Sequence, residues 1–263
     1  MQQLGKQGFP VSKDVLREII KSAGFRWIKA RVVLTSHDPE YRQKLDRIKS
    51  ILSQLKDDER FFSIDEFGPF AVKMQGGKKL VGPGEKPTVP QFQKSKGRLI
   101  VTAALELSRN QVTHFYSKAK NTIEMIKLAE VLLEKYKDCA RIYLSWDAAS
   151  WHVSDLLADT VRLHNEMVTA RQSHLPLVVL APLPASAQFL NVIESVFSGM
   201  AKAIIHNSNY QSVDHAKAAI DRYFQERNDY FREHPKKAGK TIWGQERIPC
   251  AFAEDQNCKD PNW

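Results

Sequence analysis

Ile142-Tyr143-Leu144-Ser145-Trp146-Asp147-Ala148-Ala149-Ser150-Trp151-His152 is the stretch on which the fold turns. A short apolar run, the length of a buried strand, ends on an aspartate. The same pattern occurs upstream, where Phe61-Phe62-Ser63-Ile64-Asp65 is followed by Glu66. Between them, Leu99 to Leu105 reads as an apolar strand and Val112 to Tyr116 as another. Glycine turns at Gly76-Gly77 and Gly82-Pro83-Gly84 predict a hairpin region ahead of those strands. Asn121 to Lys137 has helical periodicity, opened by Asn121 with Glu124 three residues on. Ser154 to Gln172, Asn191 to His206 and Asp214 to Glu233 read as further helices, with the strand Leu177 to Leu180 among them. Strands alternating with helices imply parallel strands joined by crossovers. Hairpin strands followed by such units predict an α/β fold with a mixed sheet flanked by helices.

Upstream, Ser12 to Gly24 reads as a short helix, with Ser12 as cap, Val15, Leu16, Ile19 and Ile20 as apolar stripe and Gly24 as terminator. A basic, strand-like segment, Phe25 to Val33, follows. Tyr41 to Lys56 is a clearer helix, with Tyr41, Leu45, Ile48, Leu52 and Leu55 at helical spacing. Three divisions are expected: 1–56 as a partial helix-turn-helix segment with a linker helix, 57–233 as the α/β domain, and 234–263 as a polar, irregular tail.

Composition narrows the function. The 263 residues carry 43% hydrophobic and 26% charged side chains, an ordinary globular balance. No apolar run approaches the ~20 residues of a membrane-spanning helix, and no signal-peptide pattern opens the chain, so no membrane partner is expected. Three cysteines cannot build a disulfide framework and fit a reducing, cytoplasmic setting. Cys250 and Cys258 lack the paired spacing of a zinc site, and there is no glycine-rich phosphate loop. The net charge is +9, and residues 1–60 supply 13 basic against 8 acidic side chains. Such a surplus favours a polyanion, most often nucleic acid. Arg17, Lys21, Arg26, Lys29 and Arg31 are the candidate phosphate or base contacts.

The carboxylates carry the chemistry. Parallel strands bring Asp65 and Asp147 to one edge of a sheet, where α/β folds build sites. Glu194 falls in the first turn of the helix after the last strand. Taken singly, each has a structural reading, as a turn residue for the aspartates and, for Glu194, as part of a cap three residues after Asn191. Together, three converging acids repel one another unless a cation lies between them, and Mg²⁺ or Mn²⁺ prefers oxygen ligands. Two ions about 4 Å apart activate a nucleophile and stabilise the leaving oxygen of a phosphodiester.

The ordered segments Phe62-Ser63-Ile64-Asp65-Glu66, Ile142 to His152 and Leu190-Asn191-Val192-Ile193-Glu194 resemble the signatures of mariner-superfamily transposases, specifically the bacterial insertion-sequence branch called the IS-six-thirty family. Gly97 to Leu105 is similar to the family's second-strand region, and the likeness runs from about Val15 to Phe224. It implies a ribonuclease-H-like fold and Asp65, Asp147 and Glu194 as catalytic, metal-binding triad, with Glu66 and His152 supporting the metal ligands or a phosphate. It also implies two Mg²⁺ or Mn²⁺ ions, DNA cleavage at element ends with strand transfer, a homodimer on double-stranded DNA, and a bacterial, nucleoid-associated setting. The chain departs from the pattern in places. Ala148 stands where the family has Asn, Val192 where it has Pro, and 46 residues separate Asp147 from Glu194. One recognition helix stands where the family has paired helix-turn-helix units, so the N-terminal part reads as incomplete. A catalytically inactive or truncated DNA-binding relative, and a ribonuclease-H-like nuclease without transposition, are the alternatives.

Overall fold

The computed structural model describes Gly8 and residues 12–26, 36–152 and 154–239. Contacts divide the chain into two units, Met1–Val33 with Cys250–Trp263, and Leu34–Pro249. In the first unit, helix α1 (Lys13–Ser22) is capped by Ser12, whose side chain accepts from the Val15 N–H, and none of its residues is buried. Lys29, Arg31 and most of the strand-like segment lie outside the described residues, as do Cys250 and Cys258.

The second unit is built on five strands: β1 (Glu59–Ala71), β2 (Arg98–Glu106), β3 (Gln111–Ser117), β4 (Arg141–Ser145) and β5 (Leu177–Leu180). Their order across the sheet is β3-β2-β1-β4-β5. β1, β2 and β3 pair antiparallel, while β1–β4 and β4–β5 pair parallel. The mixed sheet expected from the sequence is therefore present. Its helices are α2 (Tyr41–Ser53), α3 (Thr122–Lys135), α4 (Asp155–Thr169), α5 (Ile193–Met200) and α6 (Val213–Glu233).

The sheet separates two cores, and β1 shows why. Its side chains alternate in direction. Phe62 and Ile64 join a cluster with Met125, Leu128 and Leu132 of α3 and Leu157 of α4. Phe61 joins a second cluster with Leu45 and Ile48 of α2, Ile193 and Phe197 of α5, and Ile220 and Phe224 of α6. A strand covered on both faces must be apolar throughout, which explains the continuous run in the sequence. By the same alternation Asp65 belongs to the α5 face and Glu66 to the α3–α4 face.

Three expectations are corrected. β1 does not stop at Asp65 but runs six residues further, because β2 continues to pair with it after β4 has left. The glycine turns at 76–77 and 82–84 form no hairpin of their own; 72–97 is one irregular excursion between β1 and β2. It is tied to the segment after α5, through Gln75 N–H to Ser208 C=O (2.9 Å) and Lys96 Nζ to Tyr210 C=O (2.9 Å). The helix expected over Asn191–His206 is shorter, since α5 gives way to a π-helical turn at Ala201–Ile205. Among the described residues no helix is long and apolar enough to cross a membrane.

Candidate active site

The last parallel pair of β1 and β4 is Ser63 opposite Ser145. Asp65 and Asp147 each lie two residues beyond that pair, Asp65 still within β1 opposite Ala103 of β2 and Asp147 just past the end of β4. The turn that bears Glu194 is held by a separate tether. Asn191, 3% exposed, donates from Nδ2 to Ile64 C=O and to Asp65 Oδ2, 3.1 Å each. Its Oδ1 accepts from Ser63 Oγ at 2.5 Å. Ser63 Oγ in turn accepts the Ile193 N–H at 3.1 Å. These bonds fix the first turn of α5 against β1, across more than 120 residues of sequence. The first turn of α5 has no side-chain cap: Val192 is the capping residue, and the Asn191 side chain bonds to β1 instead.

Burial lifts the Asp65 carboxyl to about 7; the Glu66 N–H works against the rise, and hydrogen bonding to Glu194 and the charges of Glu194 and Asp147 add to it. Asp147 is shifted the opposite way. A hydrogen bond from His152 lowers it, burial opposes, and the Ala149 N–H and the charge of Lys120 assist.

His152 joins the two faces of the site. Its Nδ1 lies 2.8 Å from Asp147 Oδ1 and its Nε2 3.3 Å from Glu66 Oε1. Burial opposes charge on the ring, but the two carboxylates more than offset it and raise His152 to about 9. Trp151 Nε1 also donates to Glu66 Oε1 (3.2 Å), and Lys120 Nζ lies 3.9 Å from Glu66 Oε2. His152 is 3% and Glu66 6% exposed, so the contact between them is buried. Trp146 is 2% exposed and belongs to the core. Sequence reading passed over Ser63 and Lys120, and it weighed Asn191 only as a cap; each acts through a partner far away in the chain.

Of the predicted DNA contacts, Arg17 and Lys21 lie on exposed α1 and Arg26 is exposed just after it. Arg17 also faces Asp14 at 3.3 Å.

Three carboxylates are the oxygen donors that suit a hard divalent cation, and burial first, then the acidic neighbours, lifts that of Asp65. Among the described residues the acids are not drawn together into a closed cluster of three ligating groups. Asp147 Oδ1 is held by His152 and by the Ala149 N–H (3.2 Å), and Asp65 Oδ1 by the Glu66 N–H (2.7 Å).

Residues 60–217 match the family of DDE superfamily endonucleases. The chain belongs to this family. Its fold is that of Mos1 transposase structures. In the Mos1 paired-end complex with left transposon end, the TM-score is 0.59 at 18% identity, covering 88% of this chain and 68% of that one. In the Mos1 paired-end complex with Mg, it is 0.59 at 18% identity, covering 92% and 72%. In the Mos1 catalytic domain alone it is 0.53 at 15% identity, covering 83% and 95%. These likenesses establish a ribonuclease-H-like fold for this DDE endonuclease. No curated protein sequence matches the chain.

Proposed function

We propose that this DDE endonuclease is a transposase of the mariner superfamily, in its bacterial insertion-sequence branch, that cleaves DNA at element ends and joins the freed ends to target DNA. The observation that carries the reading is the register of β1 and β4, in which Asp65 and Asp147 each stand two residues past the last parallel pair, with the turn that bears Glu194 tied to β1 through Asn191 and Ser63.

Asp65, Asp147 and Glu194 would hold two Mg²⁺ or Mn²⁺ ions. Ions so bound supply activation of a water or a 3′-hydroxyl and stabilisation of the departing oxygen. The protein's own part is positioning. His152 fixes the rotamer of Asp147, and Glu66 keeps the imidazolium charged and in place. Asn191 holds Asp65 and the Glu194-bearing turn at one separation. Lys120, partly exposed beside Glu66, adds positive potential at the edge where a phosphate would approach. The basic α1 region would bind element ends, and two copies would act together on a pair of ends. A bacterial cytoplasmic setting, at the nucleoid, follows from that reading.

The test is nicking of supercoiled plasmid by the wild type and by Asp147→Asn, in Mg²⁺, Mn²⁺ or EDTA. Nicking that needs the metal and is lost in the variant supports the proposal. Nicking that survives EDTA or the substitution overturns it. Joining of a 3′-hydroxyl duplex to the plasmid distinguishes a transposase from a nuclease that only cuts.

A further inference from the structure

Glu66 stands on the opposite face of β1 from Asp65, and its side chain is 1% exposed. A carboxylate so buried needs donors to hold its charge and its position. Three groups face it. Trp151 Nε1 lies 3.2 Å and His152 Nε2 3.3 Å from Oε1, and Lys120 Nζ lies 3.9 Å from Oε2. Both contacts to Oε1 are long for an N–H donor, so neither fixes that oxygen alone.

Trp151 is held from several sides. Its indole packs against the cluster that contains Phe62, Ile64 and Met125. Its ring meets the His152 ring edge to face, with centroids 5.6 Å apart. Its C=O accepts from Thr122 Oγ1, in the first turn of α3 (3.1 Å). That hydroxyl also lies 3.0 Å from Ser154 Oγ, the cap of α4. Trp151 is only partly buried, so packing alone does not require its N–H to turn inward. The N–H nevertheless goes to Glu66. From there the contacts run on to Asp147, because His152 lies between the two carboxylates, its Nδ1 2.8 Å from Asp147 Oδ1.

We propose that Trp151 is a positioning residue for Asp147: by holding Glu66 Oε1 it holds the His152 ring, and through that ring the Asp147 carboxylate. This rests on the reading of Asp147 as ligand to a divalent ion. Partners outside the ligand shell orient the ligands, and their loss lowers metal affinity roughly 10–100-fold. Trp151 acts one contact further out, so the lower end of that range is expected.

The test is Trp151→Phe in the full chain, which keeps an aromatic ring against the core and removes the N–H. Two quantities are read. One is Mn²⁺ affinity, by electron paramagnetic resonance. The other is the pair of His152 imidazole N–H signals in proton NMR spectra, identified by their loss in His152→Gln. A melting curve checks the fold. The expected result is about tenfold weaker Mn²⁺ binding, with broadening or loss of the His152 Nε2–H signal, in a folded protein. Thr122→Val leaves the indole in place and frees its carbonyl. It should move both readouts the same way by less, and it decides the matter if Trp151→Phe does not fold. Unchanged His152 signals would overturn the proposal whatever the metal does. Altered signals with unchanged Mn²⁺ affinity would overturn the step from His152 to Asp147. Absence of Mn²⁺ binding by the wild type would count against the metal site itself, while the His152 signals still decide whether Trp151 holds the ring.

Discussion

At the scale of single residues, the site depends on two buried polar side chains that do no chemistry. Asn191 makes bonds to Ser63, Ile64 and Asp65 in a place water does not reach. Asn191→Ala leaves the Ile64 carbonyl and Ser63 hydroxyl short of partners. The expected cost is about 1–3 kcal/mol in urea unfolding, together with slower metal-dependent nicking. His152 carries a pH signature. Its folded-state value is raised to about 9 from an ordinary 6.5, so its stabilising effect is complete below 6.5 and is lost as pH rises through 9. Thermal melts between pH 6 and 10 should show the wild type losing stability over that interval, and His152→Gln losing less. Equal alkaline slopes for the two proteins would remove His152 from the account. The sequence pattern named His152 as a support for the metal ligands, but the role of Asn191 was not legible locally. Asn191 followed by Glu194 three residues on is the spelling of a helix cap, and only the fold reveals that the amide turns to a strand more than 120 residues away.

At the scale of elements, Asp38 shows how the start of α2 is coupled to the approach to the site. Its carboxylate accepts from Lys44 Nζ (2.8 Å), the Glu40 N–H (2.8 Å) and the Ala185 N–H (2.7 Å). The bond from Lys44 leads these contacts in holding Asp38 at about 2, below its ordinary 3.8, against the opposing effect of burial. A depressed acid stabilises the fold above its unfolded value and ceases to do so as pH falls through its folded one. The difference in urea midpoint between the wild type and Asp38→Asn should therefore be full at pH 5 and shrink towards pH 2. Elements of this kind were readable in kind more than in extent. Apolar runs announced β1, β2 and β4, and Asn121 announced its helix as a cap, its side chain accepting the Glu124 N–H. The true length of β1 escaped, because its second half is held by β2 alone after the parallel pairing ends. That pairing is non-local, and the glycines after it read as turns.

At the scale of the whole molecule, a net charge of +9 and the exposed Arg17, Lys21 and Arg26 of the N-terminal unit predict DNA binding driven by release of counterions. The logarithm of the binding constant should fall linearly with the logarithm of salt concentration. Replacing the three residues with Ala should flatten the slope by about 0.9 for each phosphate contact removed; an unchanged slope would place the DNA surface elsewhere. The α/β class and the mixed sheet were legible from alternating strands and helices. The convergence of the acids depends on the Ser63–Ser145 register, which no local pattern states. The central claim is that Asp65, Asp147 and Glu194 form one divalent-metal site. It is tested most directly by titrating the metal-free protein with Mn²⁺, followed by electron paramagnetic resonance at pH 8 and pH 6. The account predicts two ions bound per chain at pH 8. Affinity should be weaker at pH 6, where Asp65, with a carboxyl near 7, must give up a proton to bind metal, and binding should be lost in folded Asp65→Asn and Asp147→Asn. Mn²⁺ binding that neither substitution changes, or no binding by the folded wild type, would contradict it.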